Sequence, residues 1–534
     1  MNDSLRQPEP PAAIAVDVLV LGGGPAAVWA ALAAAKEGAR VVLADKGYCG
    51  TSGATAPANT HVWYLPDTQE RSDEIEARLD RSTGLAERSW LFRVMDQACA
   101  GLDDLAASGY PFPVQEDGFQ YRGQLRGPDY MAYMRRRILK AGVKVLDHHP
   151  GLELLDSDGT VAGAVCLDLR NGSRQRITSG AVVVATGGCA FLSRALGCEG
   201  NTGDGYLMGA EAGATLSGME FSGQYGISPA HSSITKGMPY GFASFSLEDG
   251  TPLHAEPQER FSAIATALVA GHTVFARLDR ATADQQQWLR RGQPNCFLPF
   301  DRLGIDPFAQ RFPITLRSEG TVRGVGGLKI VGDDCSTDVP GLFAAGDAAS
   351  REQVVGSASG GGRPNAAWAI ASGTFSGRGA ARFASSLGTG IGTRTTRPLG
   401  QSGLRPLDGI HANDFSKEAI GIVRREILPL DMNFFREGSR IERSLQRLDT
   451  LWQDIRMYLH GSGRQQLRAR EAAALTATAR WIWTSAARRP ETRGIHRRVD
   501  HPRLVGALTH SIELSGVDNP RATSGTLKVK DIAA

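Results

Sequence analysis

No CxxC pair or other cysteine cluster occurs in this sequence. Its seven cysteines (Cys49, Cys99, Cys166, Cys189, Cys198, Cys296 and Cys335) are scattered over 534 residues. Disulfide frameworks need cysteine density and an oxidising compartment, and zinc or iron–sulfur centres need grouped thiolates. The chain is therefore expected to carry no metal and no cluster of its own. Charge of one sign is also missing: 59 basic against 56 acidic residues leaves +3, which gives no global attraction to nucleic acid. The opening residues MNDSLRQPEPPAA lack a basic start followed by an apolar run, so no secretory signal is evident and the cytoplasm is the expected location. Nor is there an uninterrupted membrane-length run. Asp17, three consecutive glycines and Pro25 break the apolar stretch from Ile14 to Ala35, which reads as strand, turn and helix rather than a membrane span.

Glycine, by contrast, is abundant: 64 residues, without a collagen-like period. It marks tight turns and places where the backbone approaches a ligand. A hydrophobic share of 42% excludes a disordered chain, and at ~100–200 residues per domain the length suggests roughly three domains.

The first organised segment carries a nucleotide signature. Ala15–Leu21 is a β-branched run of the kind found in buried parallel strands. It leads into Gly22-Gly23-Gly24-Pro25-Ala26-Ala27 and an Ala-rich helix to about Glu37. A second strand, 39–44, then ends at Asp45, 23 residues after Gly22. In this GxGxxA pattern Gly22 makes the turn, Gly24 lets the backbone approach a pyrophosphate, and Ala27 allows close packing of helix on strand. Pro25 and Ala26 open the helix whose N-terminus stabilises phosphate charge, and Asp45 can accept from ribose hydroxyls. Two distant segments favour FAD over NAD. One is a strand ending in Ala185-Thr186-Gly187-Gly188; the other is a strand ending in Gly346-Asp347. In two-domain flavoproteins the first passes beneath the dinucleotide and the second brings a carboxylate to the ribitol hydroxyls.

These segments together resemble the flavoprotein superfamily of fumarate reductase, succinate dehydrogenase and L-aspartate oxidase, with the adenylylsulfate reductase flavin subunit as a related member. Lys46-Gly47 followed by Gly50-Thr51-Ser52-Gly53-Ala54-Thr55-Ala56 is similar to the family's flavin loop. Residues 201–205 match NTGDG, including Asp204; 219–221 match MEF; and residues 491–502 resemble ESRGxHxRxDxP near the end. The resemblance implies an α/β fold: a two-segment Rossmann-like FAD-binding domain (14–220 and 320–395), an inserted α+β capping domain (221–319) and a helical domain (408–502). Residues 396–407 read as a linker, and 503–534 as a strand pair or partner-facing tail. Leu445, Leu448, Leu451, Ile455 and Leu459 fall at helical spacing. Gly53 stands where some relatives attach FAD through a His, so noncovalent FAD is expected.

The substrate segments depart from the family. The His after MEF is absent, Val322 replaces the His of HxxMGG, and Ser359 replaces a carboxylate-clamping Arg, beside Gly360-Gly361-Gly362. A dicarboxylate needs guanidinium forks at fixed places, and losing several charge-assisted bonds, at ~1.5–3 kcal/mol each, argues against fumarate or succinate. The expected activity is hydride transfer at flavin N5 on another small polar, anionic substrate. Candidates for its chemistry are His61, Tyr225 and His231 as acid–base groups facing the pocket, Arg323 as an anion anchor, and Arg363 at an anion or the flavin pyrimidine carbonyl. Glu220 and His496 are expected at the domain junction. Two alternatives stand beside this reading: a flavin subunit working with a separate ferredoxin-like partner, and a noncatalytic flavin-binding protein.

Overall fold

Apolar runs bounded by glycine become the strands of the central sheet. The computed structural model describes residues 14–114, 118–235, 237–256 and 259–525. The opening residues in which a signal was sought, and the end of the tail from 526, lie outside the described residues. Ile14–Leu21 is flanked in parallel by Val41–Asp45 on one side and Arg174–Val184 on the other, with Lys144–Asp147 beyond Val41–Asp45. All these strands but Lys144–Asp147 are buried over most of their length, as expected for a sheet covered on both faces. Arg174–Val184 divides its second edge. Residues 174–178 pair antiparallel with Thr160–Leu167, while residues 182–184 pair in parallel with Leu342–Ala344.

Two helices cover one another against this sheet: Pro25–Lys36 and the 24-residue Arg363–Ser386. Small residues set their approach. A Cβ added at Gly377 would lie 2.2 Å from the carbonyl oxygen of Ala30, and one at Gly373 2.5 Å from that of Ala26. Backbone thus meets backbone, which brings both helix N-termini to the carboxyl ends of the parallel strands, the usual ligand edge of such sheets.

Residues 225–318 form a second antiparallel sheet in the order Tyr225–Pro229, Phe312–Ser318, Val274–Arg277, Ser244–Leu247. Phe312–Ser318 alternates buried and half-buried residues along its length, the period of two expected for a one-sided strand. Its core (Ile227, Ile264, Val274, Phe297, Phe300 and Phe312) is separate from the main one, with Phe434 contributed from the C-terminal part. There the helices Ser416–Ile427, Gly438–Tyr458 and Gln465–Arg488 pack together. Leu448, Leu451, Ile455 and Leu459 are buried and Leu445 half-buried, following the apolar spacing.

Two stretches differ from the sequence expectation. Residues 396–407 are not a free tether. Arg397–Pro398 pairs with Asp156 and Leu155, Leu404 is buried against Leu152 and Leu167, and Arg405 is salt-bridged to the buried Glu153. Glycine and proline here serve a tight path over the sheet; Gly403, for instance, passes against the Ala469 carbonyl. In the tail, Ile512–Ser515 and Arg521–Ser524 do form a hairpin, but Ile512–Ser515 pairs with Leu216–Ser217 rather than standing free. Among the described residues no helix is long and apolar enough to cross a membrane.

The junction beneath the cavity is a buried ion network. Glu220 accepts from Arg489 Nε at 2.8 Å and from Ser485 Oγ at 2.5 Å, and Glu491 bridges Arg489 (3.0 Å) and Arg493 (2.6 Å). Arg436 Nη1 lies 2.6 Å from His496 Nδ1, and His496 Nε2 lies 3.0 Å from the Arg489 carbonyl oxygen. Arg436 can only donate, so Nδ1 is the acceptor and Nε2 carries the proton. His496 is thus a neutral junction histidine.

Candidate functional site: a dinucleotide cavity under the inserted sheet

A cavity of about 540 Å³ opens at the carboxyl ends of the parallel strands, lined there by Gly22, Asp45, Ala185 and Ala345. All the residues singled out for the cofactor line it: Gly22, Gly24, Pro25, Ala26, Asp45, Lys46, Thr51, Ser52, Gly53, Ala185, Thr186, Gly187, Asp204, Gly346 and Asp347. Gly22 takes φ +123°, and a Cβ there would sit 2.2 Å from the Ala185 carbonyl oxygen, so only glycine fits the turn. Gly22 N donates to Ala44 O at 2.8 Å, and Ala185 N to Leu21 O at 2.8 Å, which pins the turn between its neighbouring strands.

The polar groups suit a dinucleotide. The Asp45 carboxylate lies against the glycine turn and accepts from Ser52 Oγ at 2.5 Å; burial pushes its carboxyl up, with the Ser52 bond opposing. At the other end Asp347 is half-buried, its side chain 16% exposed, and desolvation raises its carboxyl against the neighbouring Arg351 and Arg323 charges. The hydroxyl of Thr186 is buried, lines the cavity and has no hydrogen-bond partner among the described residues, as expected where a ligand completes its bonding. With glycine-lined walls, a helix N-terminus at Pro25 and a carboxylate at each end, these residues fit FAD.

Lys46 and Asp204 meet each other at 2.5 Å, and Lys46 also reaches Glu471 at 3.1 Å and Thr202 Oγ1 at 2.8 Å. Burial disfavours the ammonium, but Asp204 and Glu471 outweigh it and hold Lys46 above the ordinary lysine range. A residue of the C-terminal helix Gln465–Arg488 thereby fixes the cavity floor.

Of the chemistry candidates, two line the cavity and three do not. His61 ends the short strand Asn59–His61, which pairs with Gln124–Arg126. Its Nε2 is buried without a hydrogen-bond partner among the described residues. Burial first, and then the Arg363 charge, hold the ring below the ordinary histidine range. Arg323 reaches the cavity from the loop after Phe312–Ser318, with its Nε 3.3 Å from Glu319 and Nη1 donating to Thr235 O at 3.3 Å. Its Nη2 has no hydrogen-bond partner among the described residues.

Tyr225 instead points into the packing between inserted sheet and C-terminal part, donating to Leu428 O at 2.9 Å and edging Phe434. The strand Tyr225–Pro229 is buried on both sides, so alternation could not show which residue faces the cavity. His231 is exposed at the end of that strand and edges Phe300 at 5.7 Å. Arg363 starts its helix exposed and does not line the cavity, acting on His61 only through its charge.

Sequence reasoning passed over several lining residues. Asn201 lies in the NTGDG stretch itself, and Asn365 follows the glycine run; both were within quoted motifs. Gln293, between the helices Ala283–Gly292 and Pro294–Leu303, had no local signal. Around it Asn59 Nδ2 and Gln124 Nε2 both donate to Gly292 O, the latter at 3.3 Å, and Asn295 Nδ2 to Pro57 O at 2.8 Å. The inserted unit is thereby fastened over the His61 strand.

Comparison with known proteins fits this geometry. The family model described as "FAD binding domain" matches residues 17–223, and that described as "Fumarate reductase flavoprotein C-term" matches residues 425–519. The L-aspartate oxidase of Halobacterium salinarum is 31% identical over 238 residues, which span 39% of this chain and only 45% of that protein. The L-aspartate oxidase of Streptomyces coelicolor is 25% identical over 93% of this chain and 90% of that protein. Among solved structures, a variant of E. coli quinol fumarate reductase shares the fold with a TM-score of 0.81 at 21% identity, covering 98% of both chains. Ordered motifs, matched family models and fold agree: the chain carries an FAD binding domain and a fumarate reductase flavoprotein C-terminal domain, and is an FAD-dependent oxidoreductase similar to the fumarate reductase and L-aspartate oxidase flavoproteins.

Proposed function

We propose that this oxidoreductase acts on a small polar, anionic substrate other than fumarate or succinate, bound between Arg323 and His61 under the inserted sheet. Bound noncovalently between Asp45 and Asp347, FAD supplies hydride exchange at N5. The observation that carries the reading is Arg323. Its guanidinium lines the same cavity as the glycine turn, with two nitrogens braced by Glu319 and Thr235 and Nη2 left for a ligand. A charge-assisted bond from that nitrogen would hold one anionic group.

His61, kept neutral by burial and Arg363, offers either a donor or an acceptor at its unpartnered Nε2, which suits proton exchange with the substrate. The rest of the wall does not suit a dicarboxylate. Val322 lines the cavity where relatives are expected to carry a His, and Ser359 donates to the Arg323 carbonyl oxygen at 3.0 Å instead of presenting a cation. Within the stretch 503–534, read as a strand pair or partner-facing tail, the strand Ile512–Ser515 is taken up in the chain's own sheet.

The test is an anaerobic screen of small hydroxy, amino and keto acids against the purified flavoprotein. Bleaching of the flavin by an anionic compound, and none by succinate, is the expected result. A colourless protein that takes up no FAD, or rapid bleaching by succinate, would refute the reading.

A further inference from the structure

Arg351 does not line the cavity, yet it holds three of its walls. Its side chain is 1% exposed. Nη1 donates to Asp347 Oδ1 and, at 2.6 Å, to Asn365 Oδ1. Nη2 donates to the carbonyls of Thr321 (2.8 Å), Val322 (2.9 Å) and Gly324 (2.7 Å), and Nε to Gly324 O at 2.9 Å. Asp347, Asn365 and Val322 all line the cavity, and the loop 321–324 carries Arg323. Room for the guanidinium is left by glycine: a Cβ at Gly360 would lie 2.3 Å from Arg351 Nε. The glycine run beside Ser359, which stands where the family is expected to carry a carboxylate-clamping Arg, therefore accommodates a different, buried arginine.

We propose that Arg351 is a positioning residue for the cofactor, holding the Asp347 carboxylate charged and aimed into the cavity so that FAD binding depends on it. The inference rests on the reading of Asp347 as a cofactor-binding carboxylate. A buried carboxylate without a counter-charge takes up a proton. The charged groups facing Asp347 are Arg351 and, more weakly, Arg323; Asn365 bonds its side chain, and Tyr206 Oη donates to its backbone oxygen at 2.6 Å. Arg323 spends its nearer bonds on Glu319 and Thr235, so the pairing falls to Arg351.

The experiment dilutes the full-length holoenzyme and reads released FAD by its fluorescence, from pH 5.5 to 8.5, with thermal unfolding as a check on folding. The wild type is expected to hold FAD with little dependence on pH. Arg351→Met is expected to bind at least about tenfold more weakly at pH 7 and to lose up to about tenfold more per unit as pH falls, the slope of one-proton linkage. Asp347→Asn is expected to be weak and flat, and the double variant Arg351→Met with Asp347→Asn flat as well. An Arg351→Met protein that tracks the wild type at every pH overturns the proposal. Wild-type affinity in Asp347→Asn instead overturns the underlying reading of Asp347. Arg351→Lys decides the matter if Arg351→Met does not fold. Keeping the charge but unable to span the three carbonyls, it should be pH-flat at reduced affinity, and wild-type affinity would overturn the role of position.

Discussion

Glu319 and Arg323 meet with Oε1 3.3 Å from Nε, the carboxylate buried and the guanidinium reaching the cavity. Thr235 closes the figure: its Oγ1 donates to Glu319 Oε1 at 2.7 Å, and its carbonyl accepts from Arg323 Nη1. The backbone of Arg323 is held as well, since its carbonyl oxygen accepts from Ser359 Oγ and from Gly360 N at 3.1 Å. Arg323 is thus a braced cation with one side free.

Removing it should leave the cofactor and lose the anion. In Arg323→Ala, binding of a monocarboxylate such as acetate, read as a perturbation of the flavin spectrum, should weaken about 10- to 100-fold, the equivalent of one charge-assisted bond at ~1.5–3 kcal/mol. Glu319→Ala, which releases the brace, should weaken it by a smaller factor. Unchanged acetate binding in Arg323→Ala would mean that the anion sits elsewhere.

His61 gives the site a pH signature. Its folded value lies below the ordinary 6.5, so the ring stays neutral from 6.5 upward and turnover should fall only below that pH. Because the Arg363 charge contributes to the depression, Arg363→Ala should move the acid limb to higher pH. A limb that moves down, or not at all, at low salt would separate His61 from the proton step.

The junction histidine makes stability itself pH-dependent. Burial first, then the charges of Arg436, Arg489 and Arg498, hold His496 well below its ordinary range. Below about pH 6.5 the unfolded chain binds a proton there that the folded chain refuses, so stability falls as pH drops, by up to about 1.4 kcal/mol per unit from this group. His496→Gln should be less stable at pH 7.5 and should lose that part of the slope in thermal unfolding.

Breaking the ion network should be severe. Glu220→Gln leaves Arg489, fully buried, with half of its pairing gone. Such losses run to about 3–5 kcal/mol, and a marked drop in unfolding temperature is expected.

The helix crossing allows a cleaner test far from any charge. Gly377→Ala puts a methyl 2.2 Å from a carbonyl oxygen that cannot yield, and overpacking of this kind costs about 1–3 kcal/mol. Gly241→Ala, where a Cβ meets nothing within 4 Å, serves as the control and should leave the unfolding temperature unchanged or slightly higher.

What was legible in the sequence is what the backbone demands locally. Gly22 and Gly346 sit where a turn excludes a side chain, and such demands leave a motif behind. Apolar runs likewise announced the buried strands. Tyr225 was misplaced for a physical reason: a strand buried on both faces carries no alternation from which a cavity side can be read; His231 lies in the turn past that strand's end, which carries no period at all. Glu319 and Arg351 were missed because most of their partners (Thr235 for one, Asn365 and the 321–324 carbonyls for the other) lie on other segments, and a pairing across segments leaves no spacing to find. The four-residue intervals Glu319–Arg323 and Asp347–Arg351 are the only traces, yet such pairs more often lie on a solvated surface. The substrate side of the site is therefore less legible than the cofactor side, since it is assembled from loops rather than from turns.

The divided edge of Arg174–Val184 also fixes an order of events during synthesis. Residues 182–184 are wholly apolar and buried, and their partner Leu342–Ala344 follows only after the entire inserted unit. At ~5–20 residues per second, the ribosome leaves that edge bare for on the order of ten seconds. The inserted unit, with a core of its own, can fold in that interval while its parent sheet is still unfinished. The cavity gains its Asp347 wall only when Leu342–Ala344 returns, and Asn365 and Glu471 complete it later still. At this stage the nascent chain presents an unpaired apolar strand edge, the kind of surface that makes folding intermediates prone to aggregate.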